Sequence, residues 1–138
     1  MQDNNLTDRL FNFAIRVLKY LTTLPNTPEF KIIRYQLAKS ATSTGANYEE
    51  AQAGSSRADF HNKTRISLKE MRESNYWLRI IDGTIEDKLK KEELKLLIDE
   101  SAQLKNILGT IVYKTRFEKE KVKRQKILKQ KEKELNAE

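Results

Sequence analysis

An all-α protein, folded as an antiparallel up-down-up-down four-helix bundle, is what this sequence predicts, and three observations carry that expectation. Apolar residues recur at spacings of three and four in four separate segments. Proline, glycine and good helix-capping residues fall between those segments. No stretch alternates apolar and polar residues as a half-buried strand does.

The first helix is expected from about residue 5 to 24, where Leu6, Leu10, Phe13, Val17, Leu21 and Leu24 share a face, and Pro25 ends it. Thr27 is a good N-cap and Pro28 suits the first helical position, because its missing N–H has no intrahelical partner there anyway. The second helix therefore begins at about Pro28. Ile33, Leu37, Ser40, Thr44, Asn47 and Ala51 form one of its stripes, and Ala38, Ala41, Gly45 and Tyr48 the next. Two stripes imply two packing partners. Gly and Thr within the run Ser40–Ala46 each cost up to about 1 kcal/mol relative to Ala. Close approach of another backbone is the expected compensation, and a flexible loop is the competing reading.

Gly54, Ser55 and Ser56 read as a stop and a restart, with Ser56 as N-cap and Asp59 three residues on, as in a capping box. Helix three is expected to run to about Asp82 with Gly83 capping it. Phe60, Thr64, Ser67, Met71, Ser74, Leu78 and Ile81 line one face, and Ile66, Glu70, Glu73, Trp77 and Ile80 the next. Leu94, Leu97, Ile98, Ser101, Leu104, Leu108 and Ile111 define helix four. Helices two and three, each about 26 residues, span about 39 Å at 1.5 Å per residue. Matched lengths and short connections favour antiparallel neighbours. The domain reading is one bundle at 1–117 followed by a charged tail at 118–138, frayed helix or disordered.

Composition narrows function. The 138 residues suit a single core. Cysteine is absent, so thiolate chemistry and disulfides are excluded. Without a basic region leading into an apolar run, and without about 20 consecutive apolar residues, the chain reads as soluble, unprocessed and cytoplasmic. Net charge is +7, of which residues 118–138 supply +3, from eight Lys or Arg and five Glu. A basic balance favours anionic partners, RNA or DNA first, although it also serves solubility. The candidate contacts are Arg9, Arg16 and Lys19 along one side of helix one, Arg57, Lys63, Arg65, Lys69 and Arg72 on helix three, and the tail from Lys119 to Lys133, Lys119, Lys121, Lys123 and Arg124 foremost. No base-reading motif accompanies them.

Asn47 and Glu50 on helix two, with Glu70 and Glu73 on helix three, form the most suggestive polar group. A ferritin-like site needs Glu-x-x-His on two helices, yet the sole histidine, His61, has Ala58 three positions before it. Glu70-Met-Arg-Glu73 is half of a magnesium-holding carboxylate motif of helical nucleotide hydrolases, and the other half is missing. These carboxylates are therefore expected to be paired near a helix interface, with Lys63, Lys69, Arg72 and Arg79 as local partners. His61 is expected at the surface or boundary. Trp77 is expected to pack in the core or a subunit interface. Phosphate-loop and nucleophile motifs are absent, so the chain is expected to be no enzyme and to need no cofactor or metal.

The runs Gln36–Ala51, Ser56–Phe60 and Ser67–Arg79 resemble a bacterial four-helix bundle family. That family includes proteins encoded in intervening sequences of large-subunit ribosomal RNA genes and the accessory variability determinant of diversity-generating retroelements. The likeness covers about residues 6–117. It is most specific at Ser43-x-x-x-Asn47-x-x-Glu50, with Gly45, Glu70, Glu73 and Trp77 belonging to the same structural set. Many members have Asn-Ile-Ala-Glu-Gly where this chain has Asn47-Tyr-Glu-Glu-Ala51, and Arg at the place of Lys39. The resemblance implies a ring-like homopentamer. In the retroelement branch it also implies a basic surface for nucleic acid and a reverse transcriptase. The leading functional expectation is an oligomeric scaffold that contacts RNA or DNA. An assembly protein without nucleic acid is the rival, and a metal-dependent nucleotide hydrolase the remote third.

Overall fold

A computed structural model describes residues 5–54 and 56–137, and leaves the side chain of Lys119 undescribed. Met1–Asn4, Ser55, Glu138 and the Lys119 contact thus lie outside the described residues. Four helices follow one another: α1 (Leu6–Leu21), α2 (Pro28–Ala53), α3 (Arg57–Thr84) and α4 (Lys88–Asn136). Adjacent helices pack antiparallel, α1 on α2, α2 on α3, α3 on α4, and α4 back on α1, while the diagonal pairs do not meet among the described residues.

Each start is fixed by a side chain that accepts an otherwise orphaned N–H. Asn5 Oδ1 takes Thr7 N at 2.9 Å, Thr27 Oγ1 takes Phe30 N at 3.3 Å, and Ser56 Oγ takes Asp59 N at 3.1 Å. Asp87 Oδ1 takes both Leu89 N and Lys90 N, at 2.9 and 3.2 Å.

Two helix ends differ from the sequence expectation. α1 stops at Leu21, because the Thr22 and Thr23 hydroxyls bond the Lys19 and Tyr20 carbonyls at 2.7 Å and the chain turns toward Pro25, yet Leu24 still reaches the core. α3 continues through Gly83 to Thr84. Gly83 has no positive φ and so makes no left-handed cap; instead the chain leaves the helix at Ile85, whose side chain is buried and whose N–H bonds the Ile81 carbonyl at 3.0 Å.

Leu10, Phe13 and Val17 of α1, Leu37 and Ala41 of α2, Met71, Leu78 and Ile81 of α3, and Leu94, Leu97, Leu104 and Leu108 of α4 fill one core. The small residues of α2 lie where closeness demands them. Ser40 Oγ meets Ser74 Oγ at 2.8 Å, and Ser67 Oγ donates to the Thr44 carbonyl at 2.7 Å, so hydroxyls line the seam between α2 and α3. On the other flank of α2, a Cβ built on Gly45 would touch Leu10 Cβ of α1 at 3.5 Å. Residues 40–46 are helical throughout, which removes the loop alternative.

At 49 residues α4 is about 74 Å long, nearly twice α2, and its segment from Glu118 to Asn136 is helical without interruption. No helix among the described residues is long and apolar enough to cross a membrane.

Three stability outcomes follow for thermal or urea unfolding. Gly45→Ala is accommodated in ordinary van der Waals contact and leaves stability unchanged or higher, whereas Gly45→Leu collides with Leu10 and costs about 1–3 kcal/mol. Met71→Ala, at a fully buried site, costs about 2–5 kcal/mol. Gly109→Ala, mid-helix with open space around it, gains up to about 1 kcal/mol.

Candidate nucleic-acid interface

The basic side of α1 turns out to be a seam. Arg9 grips both Glu100 oxygens, with Nε to Oε2 at 3.3 Å, and reaches Gln103 at 3.3 Å. Arg16 pairs with Glu93 at 3.4 Å. Lys19 borders a shallow depression with Tyr20, Leu89, Lys90, Asp87 and Glu93. Arg9 and Arg16 are thus compensated by carboxylates of α4, while Lys19 makes no ion pair among the described residues. Tyr20 itself is buried, its hydroxyl without a protein partner among the described residues, and its pKa is pushed up to about 12 by burial and then by Asp82, Asp87 and Glu93.

The carboxylates singled out on α2 and α3 do not assemble. Asn47 Nδ2 donates within its own helix, to the Ser43 carbonyl at 2.8 Å and the Ser43 hydroxyl at 3.0 Å. Glu50 lies 3.8 Å from Lys63 Nζ, which also approaches Asp59 at 3.4 Å. Glu73 accepts the Trp77 indole N–H at 3.3 Å. Glu70 has its pKa raised by partial burial and by Glu73, with Lys69 and Lys39 working against that. Among the described residues no three carboxylate or imidazole groups cluster as metal ligands do. Trp77 is half-buried and packed against the core.

The seam between α3 and α4 presents a different surface. Arg65, Arg72 and Arg79 follow one another at seven-residue intervals, which sets them on one side of α3, about 10 Å apart. Opposite Arg72 and Arg79, α4 contributes Lys105, Asn106, Gly109, Thr110 and Tyr113 to an open groove that no carboxylate lines. Arg79 is held in place by its Nε–H to Asn75 Oδ1 at 2.9 Å and by stacking over the Tyr76 ring, 5.9 Å from its centroid. Asn75 in turn donates to Ser101 Oγ at 2.8 Å, which ties the groove floor to α4. Farther along the same seam, Arg65 and His61 face Val112, Arg116, Glu120 and Lys123. Among the described residues Arg65, Arg72, Arg79 and Lys105 make no ion pair.

His61 is buried, contrary to the surface position expected of it. The Thr115 hydroxyl donates to the Ile111 carbonyl at 2.8 Å, so the imidazole Nδ1 is the donor in its 2.8 Å bond to Thr115. A histidine early in a helix looks peripheral in sequence. Here the length of α4 covers it.

Of the sequence-level contacts, the structure brings Arg65 and Arg72 into this groove, sets Lys121, Lys123 and Arg124 on exposed turns of α4, and ties Arg57 loosely to Glu118 at 3.9 Å. Lys105, Arg116 and the role of Arg79 were missed. The seven-residue Arg period was visible, but the register that sets Lys105 and Arg116 opposite it was not.

Away from α3 and α4, α1 exposes Phe11, Ile15 and Leu18 at helical spacing, and α2 exposes Ile32 and Tyr35.

A search of curated proteins finds no match. Among solved structures, the chain is similar to a protein of unknown function from the S23 ribosomal protein family of Bacteroides thetaiotaomicron, with 32% identity, a TM-score of 0.68, and coverage of 78% of this chain and 98% of that one. The model of the 23S rRNA-intervening sequence proteins matches residues 2–110, which include α1, α2, α3 and the bundle portion of α4. With the helices, their order and most of the chain in agreement, the protein belongs to the 23S rRNA-intervening sequence protein family.

Proposed function

We propose that this protein is a non-enzymatic, homo-oligomeric scaffold that binds nucleic acid along the α3/α4 groove. The observation that carries the reading is the carboxylate-free run of Arg72, Arg79 and Lys105 between two rigid helices. Cations that make no ion pair among the described residues, with Arg72 and Arg79 about 10 Å apart along one helix, suit a phosphodiester backbone and offer no means of telling bases apart. The family description, which names an intervening sequence of ribosomal RNA, makes RNA the first ligand to test. The likeness to retroelement accessory proteins adds a reverse transcriptase as a candidate partner and a ring-like pentamer as the candidate assembly. Phe11, Ile15, Leu18, Ile32 and Tyr35 supply an apolar face for that assembly, lying away from the groove. The same face supports the second reading, an assembly protein whose charge serves only solubility. The first reading includes a place in the cytoplasm, where RNA is at hand.

Affinity for single-stranded RNA is expected to fall as salt rises, and Arg72→Gln, Arg79→Gln and Lys105→Gln together to flatten the log–log salt slope by about 2, at about 0.7 per phosphate contact. Titration by fluorescence anisotropy at four salt concentrations measures this; no binding at any of them favours the assembly-only reading. Arg9→Gln is expected to leave RNA affinity unchanged while lowering stability by up to about 1 kcal/mol, since its charge serves Glu100. Ile15→Glu with Tyr35→Glu is expected to reduce the solution mass to that of one chain by light scattering, with helical content retained. An unaltered mass removes the apolar face from the assembly.

A further inference from the structure

The family match stops at residue 110, and 98% of the Bacteroides chain is accounted for by 78% of this one, yet α4 runs on to Asn136. Its root is fastened to the bundle. His61, 5% exposed, donates to Thr115 at 2.8 Å, and Arg57 approaches Glu118 at 3.9 Å. From Lys123 onward every described residue is exposed.

Such a helix has little reason to exist on its own account. Packing of a buried face supplies most helical stability in proteins, and this segment has no such face. Charge works against it as well. Between Glu120 and Glu132 there are six cations and no carboxylate, and Lys121/Arg124, Lys123/Lys126 and Lys126/Lys129 are like-charged neighbours three residues apart. An elongated polyanion beside the helix reverses the sign of that contribution. The position also suits one. Arg65, Arg116 and Lys123 gather with His61 at the outer end of the α3/α4 seam, where the bundle groove leads into the free part of α4, and Glu120, 3.8 Å from Arg116, is the one carboxylate among the described residues that line that end.

We infer that residues 116–131 of α4 are a second phosphate-binding segment, continuous with the α3/α4 groove, along which a nucleic-acid strand longer than the bundle is held. This rests on the nucleic-acid reading of that groove. From Lys105 to Lys131 the track is about 39 Å, or about 11 stacked nucleotides at 3.4 Å each, against about 5 for the portion from Lys105 to Arg116.

The test uses the full chain and labelled single-stranded RNA of about 6 and about 24 nucleotides, lengths on either side of that track. One variant carries Lys123→Gln, Lys126→Gln and Lys129→Gln, exposed positions where Gln keeps the helix propensity. The other carries the three groove substitutions Arg72→Gln, Arg79→Gln and Lys105→Gln. The extension variant is expected to bind the long RNA tenfold or more weakly at low salt, with a salt slope lower by about 2, and to bind the short RNA as the unaltered chain does. The groove variant is expected to lose both. Long-RNA binding by the extension variant with unchanged slope and affinity overturns the extension while leaving the groove reading intact. Equal weakening of both RNAs in the extension variant overturns the idea of one continuous track. If the unaltered chain binds neither RNA, both readings fall.

Discussion

The hydroxyl seam between α2 and α3 is the constraint on which the remaining geometry depends. Ser40, Thr44, Ser67 and Ser74 are buried, and a buried hydroxyl left without a partner costs on the order of 1–3 kcal/mol. Ser40 and Ser74 satisfy each other across the seam, and Ser67 finds the Thr44 carbonyl, at one axial register and one rotation of the two helices only. A slip by a single turn would break both cross-seam bonds, leaving Ser40, Thr44 and Ser74 only their bonds to the Leu37, Ala41 and Glu70 carbonyls of their own helices. Leucines at these positions would push the axes apart and allow several registers. Small polar residues narrow the gap and choose among them. Once α3 is fixed in rotation, Asn75 and His61 point at Ser101 and Thr115 of α4, and the Arg65, Arg72, Arg79 side turns outward beside α4.

Much of the fold was legible because it is written in local chemistry. Thr27, Ser56 and the proline at the start of α2 act through neighbours within four residues, so their meaning does not wait on tertiary structure. Gly83 shows the opposite case: glycine often ends a helix, but α3 runs two residues beyond the expected Asp82, to Thr84 ahead of the buried Ile85, and leaves the glycine an ordinary helical position. The interface was legible only in half. Arg9 and Glu100 are 91 residues apart, and nothing in the neighbourhood of either announces the other. Side-chain spacing identified a basic stripe on α1 correctly as a stripe. Its neutralisation by α4 is a fact of packing.

Charge is distributed unevenly over the surface. A net charge of +7 over 138 residues is modest, yet Arg9 and Arg16 on the α1/α4 side face carboxylates, while in the α3/α4 groove Arg72, Arg79 and Lys105 face amides, a hydroxyl and an aromatic ring. Potential at a surface follows this local arrangement more than the sum. The α1/α2 side carries exposed Phe11, Ile15 and Leu18 instead. An up-and-down bundle keeps these sides apart, since each helix meets only its two neighbours.

The unbroken course of α4 has a mechanical meaning. A continuous helix bends only gently, with radii on the order of 60–100 Å, unless a proline or a similar defect interrupts it, and α4 contains no proline. Its free end therefore acts as a lever arm of about 30 Å beyond Thr115. A load applied near Leu135 turns about the His61–Thr115 bond and the looser Arg57–Glu118 pair beside it, and Gly109 lies six residues inside Thr115 with no side chain of its own.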